Sequence, residues 1–112
     1  MLGIIGAMDE EVAMIKAQLT DVQVETRAAM DFYKGKLEGK EVVVVRSGIG
    51  KVNAAVCTQI LADIYGVTGV VNTGIAGSLK AEIDIGDIVL SSDALQHDMD
   101  ATGFGYEPGQ IP

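Results

Sequence analysis

An α/β fold around a buried sheet is what three stretches of this sequence predict. The chain opens with the apolar run Leu2-Gly3-Ile4-Ile5 and passes at once into a segment of helical periodicity. Four consecutive valines, Val42 to Val45, leave no solvent-facing alternation, which marks a strand covered on both faces. Two small-residue turns, "SGIGK" and "TGIAGS", each follow an apolar strand and present glycine backbone at its end.

The elements follow in order. Residues 2–6 form a short apolar strand, and residues 8–19 a helix whose apolar positions Met8, Val12, Ile15 and Leu19 recur at helical spacing. Residues 22–29 and 32–37 mix polarity with β-branched and aromatic side chains and read as an antiparallel pair, with a turn at Gly39-Lys40 leading onward. Residues 41–46 carry the valines and should be central. A second helix over residues 51–65 places Val52, Val56, Ile60 and Ile64 on one face, and strands at 68–72 and 85–92 complete the regular structure. From Asp93 to Pro112 the sequence is aperiodic, and so long a loop in a compact domain is usually functional or mobile.

Composition narrows the function classes. The 112 residues suit one domain or part of one, and 48% hydrophobic with 21% charged residues describes a globular protein. A net charge of −8 with only eight Lys and Arg argues against nucleic acid and against anionic membranes, both of which are bound through cationic side chains. Cys57 is the single cysteine, so no internal disulfide is available and a reducing, cytoplasmic setting is expected. No basic and apolar leader precedes Asp9, and no run reaches the roughly 18 apolar residues of a membrane span. The terminal "GYEPGQIP" reads as a break inside a loop.

The stretch "GAMDEEV" sets three acids at the mouth of the first strand. At about 100° per residue, the apolar stripe of the helix is centred about 70° from Glu11. Glu10 then lies roughly opposite that stripe, whereas Glu11 sits on its rim. Asp9 falls in the first turn, where the free N–H groups and the helix dipole favour an acid. A partly buried carboxylate is a stronger base than a solvated one, and α/β folds bind ligands at the carboxyl ends of their strands. Glu11 is therefore the candidate general base, against a capping or solvated role. The loops at 47–53 and 72–78 are expected to share a crevice with it, although neither matches a dinucleotide or phosphate-loop pattern. His97, Asp98 and Asp100 lack metal-ligand spacing. Cys57 lies mid-helix with no basic neighbour and reads as a packed thiol.

Taken together, "GIIGAMDEEV", "SGIGKVNAA", "NTGIAGSL", "IGDIVLSSDALQHD" and "FGYEPGQIP" closely resemble the 5′-methylthioadenosine/S-adenosylhomocysteine nucleosidases, members of the nucleoside phosphorylase and hydrolase superfamily. The resemblance covers the whole chain, which corresponds to the N-terminal half of a single nucleosidase domain. It implies a three-layer α/β/α fold with a central mixed β-sheet. The implied reaction is hydrolysis of the N-glycosidic bond of 5′-methylthioadenosine, S-adenosylhomocysteine and 5′-deoxyadenosine, releasing adenine, with Glu11 activating the water and no cofactor or metal. Met8 and Ile49 match positions lining the ribose and 5′-alkylthio pocket, and Gly77 matches a backbone position that touches substrate. Phe104, Tyr106 and Pro112 match residues that close the neighbouring subunit's pocket, which implies a homodimer. Ile75 stands in the substrate-binding loop where many members have the serine of "TGSAGG", and Ala101 stands where some carry a larger apolar residue. The purine-protonating aspartate and the ribose-binding glutamate match no residue here, so the 112 residues alone are expected to be inactive. A phosphorylase of the same fold, a hydrolase of a related nucleoside, and a non-catalytic binding half-domain are the alternatives.

Overall fold

A computed structural model describes residues 1–112. They fall into two units, Met1–Ala76 and Gly77–Pro112.

The first unit holds the regular structure. Strand β1 (Leu2–Gly6) leads to helix α1 (Asp9–Ala17), then β2 (Thr20–Arg27), β3 (Met30–Leu37), β4 (Lys40–Arg46), helix α2 (Lys51–Asp63) and β5 (Gly69–Asn72). The sheet order is β2-β3-β4-β1-β5. β1 pairs in parallel with β4 on one side and β5 on the other, while β2-β3 and β3-β4 are antiparallel. The sheet is therefore mixed, as expected.

Alternation along β1 and β4 divides the core into two layers. Ile4, Val42 and Val44 face Val12 of α1, whereas Ile5, Val43 and Val45 face Cys57 and Leu61 of α2. Helices on opposite faces make three layers, α/β/α. Gly3 lets α2 come close: a Cβ there would lie 2.8 Å from Leu61 Cδ1. Tyr65, just past α2, stacks on Phe32 of β3 with ring centroids 5.1 Å apart.

Four expectations are corrected in this unit. The buried face of α2 is centred on Cys57 and Leu61, with Ile60 partly buried beside them, and Val52, Val56 and Ile64 are exposed, because apolar residues recur on more than one side of this helix. Met8 lies outside α1, in extended backbone as its N-cap. Strand β2 ends at Arg27, since Ala28 and Ala29, both at positive φ, form the turn to β3; alanines carry none of the usual Asn-Gly signal. The next turn likewise uses Glu38 and Gly39, so Lys40 belongs to β4.

The second unit contains one regular element, a 3-10 turn at Thr102–Phe104, and residues 85–92 form no strand. A strand needs a hydrogen-bonded neighbour, and in this unit Ile85, Ile88 and Leu90 remain almost wholly exposed. The Asp100 carboxylate accepts hydrogen bonds from the Thr102 N–H (3.0 Å) and hydroxyl (2.6 Å), which hold its pKa below the usual value. No helix of either unit is long and apolar enough to cross a membrane.

Two measurements probe the core. Leu61→Ala should cost about 2–5 kcal/mol in urea unfolding of the full-length protein, whereas Met14→Ala, at an exposed site on α1, should stay within about 0.5 kcal/mol. Burial also pushes the Cys57 thiol from 9.0 to about 11. The unfolded chain then loses this proton first, so stability should fall as pH rises from about 9 to about 11, approaching 1.4 kcal/mol per pH unit. Cys57→Ala should remove that part of the decline.

Candidate active site

Three parallel strands end side by side, and their last hydrogen bonds continue into the loops. The Ser47 N–H donates to the Gly6 carbonyl (2.9 Å), and the Thr73 N–H to the Ile5 carbonyl (2.8 Å). The loops after β4 and β5 are thereby fixed on either side of the turn that starts α1. Ser47 is buried, and its hydroxyl donates to the Gly48 carbonyl at 2.8 Å.

Glu11 occupies the third position of α1, and its carboxylate folds back over the helix start. Oε2 accepts hydrogen bonds from the Ala7 N–H (2.7 Å) and the Met8 N–H (3.0 Å). Two donors that the helix leaves unused are satisfied, as in one half of a capping box. Oε1 points the other way, toward Gly74. Glu11 lines a cavity of about 250 Å³ together with Asn72, Thr73, Gly74, Ile75 and Ala76. Ligand pockets usually enclose roughly 300–1,000 Å³. The β5 loop and Glu11 thus build one wall of a site.

The three acids are distinct in the structure. Glu10 is exposed, Glu11 is partly buried, and Asp9 pairs with Arg46 (3.3 Å) and Lys16 (3.7 Å). Asp9 therefore fastens the helix start to the end of β4 in addition to its first-turn position.

Of the remaining expected site residues, Ile75 joins Glu11 at the cavity and is 93% exposed. Met8 contributes its amide to Glu11 and leaves its side chain exposed. Ile49 is exposed on the β4 loop, where its carbonyl accepts from Asn53 Nδ2 (2.8 Å), and the cavity beside Glu11 is lined by residues of the 72–76 loop. Within the second unit Gly77 has open space where a side chain would stand, and Phe104 and Pro112 are exposed. Tyr106 is the more covered of its two aromatics. His97, Asp98 and Asp100 do not converge on a metal-binding group.

Sequence reasoning missed the Ala7 and Met8 amides and the particular role of Gly74. A glutamate three residues after the N-cap is a signal for the former. Nothing in the sequence distinguishes Gly74 from the other glycines of its loop.

Comparison with known proteins accords with this geometry. A 5′-methylthioadenosine/S-adenosylhomocysteine nucleosidase of Marinomonas sp. is 53% identical over 112 residues, covering 100% of this chain and 48% of that protein. The crystal structure of the Colwellia psychrerythraea nucleosidase, in complex with adenine, superposes with a TM-score of 0.95 at 53% identity, covering 99% of this chain and 46% of that one. The Neisseria meningitidis nucleosidase, in complex with methylthio-immucillin-A, gives 0.94 at 39% identity over 99% of this chain and 48% of that one. The chain spans about half the length of the relatives it matches. With the phosphorylase superfamily model matching residues 1–112 and a mixed sheet between two helical layers in place, the chain belongs to the phosphorylase superfamily.

Proposed function

We propose that the protein carrying this chain is an N-glycosyl hydrolase that releases adenine from 5′-methylthioadenosine, S-adenosylhomocysteine and 5′-deoxyadenosine. The observation that carries this reading is the Glu11 carboxylate, anchored through one oxygen and directed with the other toward a cavity at the carboxyl end of β1. The names of the relatives, and the adenine bound in one of them, supply the substrate class.

In this scheme Glu11 takes a proton from water as its oxygen bonds to C1′. The bond from C1′ to the purine nitrogen breaks through a ribosyl cation-like state, and its electron pair leaves with adenine. The group that protonates the purine, and the one that binds the ribose hydroxyls, come from outside these 112 residues, which form the N-terminal portion of a single nucleosidase domain. Met8, Ile49, Ile75 and Gly77 approach the substrate. Phe104, Tyr106 and Pro112 close the pocket of a second subunit in a homodimer, a role that suits the exposed ring of Phe104.

A phosphorylase needs cationic ligands for phosphate. Both arginines are engaged elsewhere: Arg27 donates to Glu25 at 3.0 Å, and Arg46 pairs with Asp9 at 3.3 Å. The Glu11 charge would also repel phosphate. Hydrolysis is favoured on both grounds.

The full-length protein should therefore release adenine from 5′-methylthioadenosine in phosphate-free buffer. Strict phosphate dependence, with a ribose 1-phosphate as product, would sink the hydrolase reading. Glu11→Gln should lower kcat by about 10²–10⁴-fold with little change in binding, and Glu10→Gln should leave turnover near wild type. Equal losses in the two variants would refute the assignment. The 112 residues on their own should release no adenine.

A further inference from the structure

Glu11 is flanked by two glycines. A Cβ on Gly6 would meet Val12 Cγ1 at 2.7 Å and Glu11 Cβ at 3.0 Å, so a side chain there would push into the core. A Cβ on Gly74 would meet something different. It would lie 2.7 Å from Glu11 Oε1, 3.2 Å from Cδ and 3.6 Å from Oε2, so its three nearest atoms all belong to the carboxylate.

Gly74 shows no backbone requirement for glycine, because its φ lies outside the left-handed region. Nor can its backbone withdraw freely, since the preceding residue, Thr73, is hydrogen-bonded to Ile5 of the central strand. The Glu11 carboxylate is the end of a flexible side chain and would be the partner that yields. Its displacement would carry Oε2 away from the Ala7 and Met8 amides and Oε1 out of its place beside the β5 loop.

We propose that Gly74 is a positioning residue for the Glu11 carboxylate: the side chain it lacks is the space that Oε1 occupies while Oε2 rests on the two amides. The inference deepens the reading of Glu11 as the water-activating base and rests on it. A base held by two amides on one side and a bare backbone on the other keeps one orientation relative to the attacked carbon. Misplacement by about 1 Å can cost about 10²-fold in rate.

The test is Gly74→Ala in the full-length protein. The variant should fold and melt with wild type, lose about 10²-fold in kcat, and change KM far less. Because Gly74 acts through Glu11, Gly74→Ala should add no further loss in a Glu11→Gln background. In labelled protein, the Ala7 and Met8 amide resonances should shift and exchange faster with solvent. Retention of wild-type kcat, an additive loss in the double variant, or failure to fold would each overturn the proposal. If wild type itself releases no adenine, the proposed reaction fails, and the amides still decide the geometry: unchanged Ala7 and Met8 resonances in Gly74→Ala would refute the positioning role.

Discussion

Strand β1 is hydrogen-bonded on both edges and covered on both faces, and the candidate site depends on that constraint. A strand so enclosed cannot slip by one residue without turning Ile4 and Ile5 to the wrong layers. Its register with β4 and β5 is thereby fixed, and so is the level at which all three strands end. The Ser47 and Thr73 amides extend the two ladders one residue beyond the strands proper. Glu11 and the 72–76 loop consequently meet at a separation set by the sheet, with little left to the loops themselves.

The same constraint explains how much of the fold was legible in the sequence. Segments buried on two faces are written in long apolar runs, and the expected bounds of β1 and β4 agree with the structure to within one residue. Helix α2 lies where its periodicity predicts but is rotated away from the valine and isoleucine stripe, because its fully buried contacts are made by Cys57 and Leu61 while Val52, Val56 and Ile64 are exposed. Periodicity reports where apolar side chains recur, and it does not say which recurrence meets the sheet. Residues 85–92 show the complementary failure. Their apolar run Ile88-Val89-Leu90 resembles a strand, but a strand exists only with a partner, and pairing is not a property of the segment.

At the site, the part carried by helix geometry was legible and the part carried by close approach was not. The separation of Glu10 from Glu11 follows from rotation about α1, which the structure reproduces. Crowding at Gly74 involves residues more than sixty positions apart in the chain, joined by β1 lying beside β5. Neither residue alone carries a sign of it.

Capping and catalysis are often weighed as rival explanations for an acid at a helix start, but for Glu11 they are parts of one arrangement. A carboxylate has two oxygens, and one is enough to satisfy the Ala7 and Met8 amides. A side chain held in this way has already given up rotamer freedom in the folded state. That ordering need not be repeated when a substrate arrives, which is how preorganised groups act most effectively in a site. The cap supplies the orientation, and the second oxygen is directed toward Gly74 at the cavity wall. Asp9 and Glu10 share the helix turn but not the arrangement, because Asp9 is committed to Arg46 and Lys16 and Glu10 faces solvent. Three adjacent acids therefore have three distinct surroundings, and only one of them joins a fixed carboxylate to a cavity.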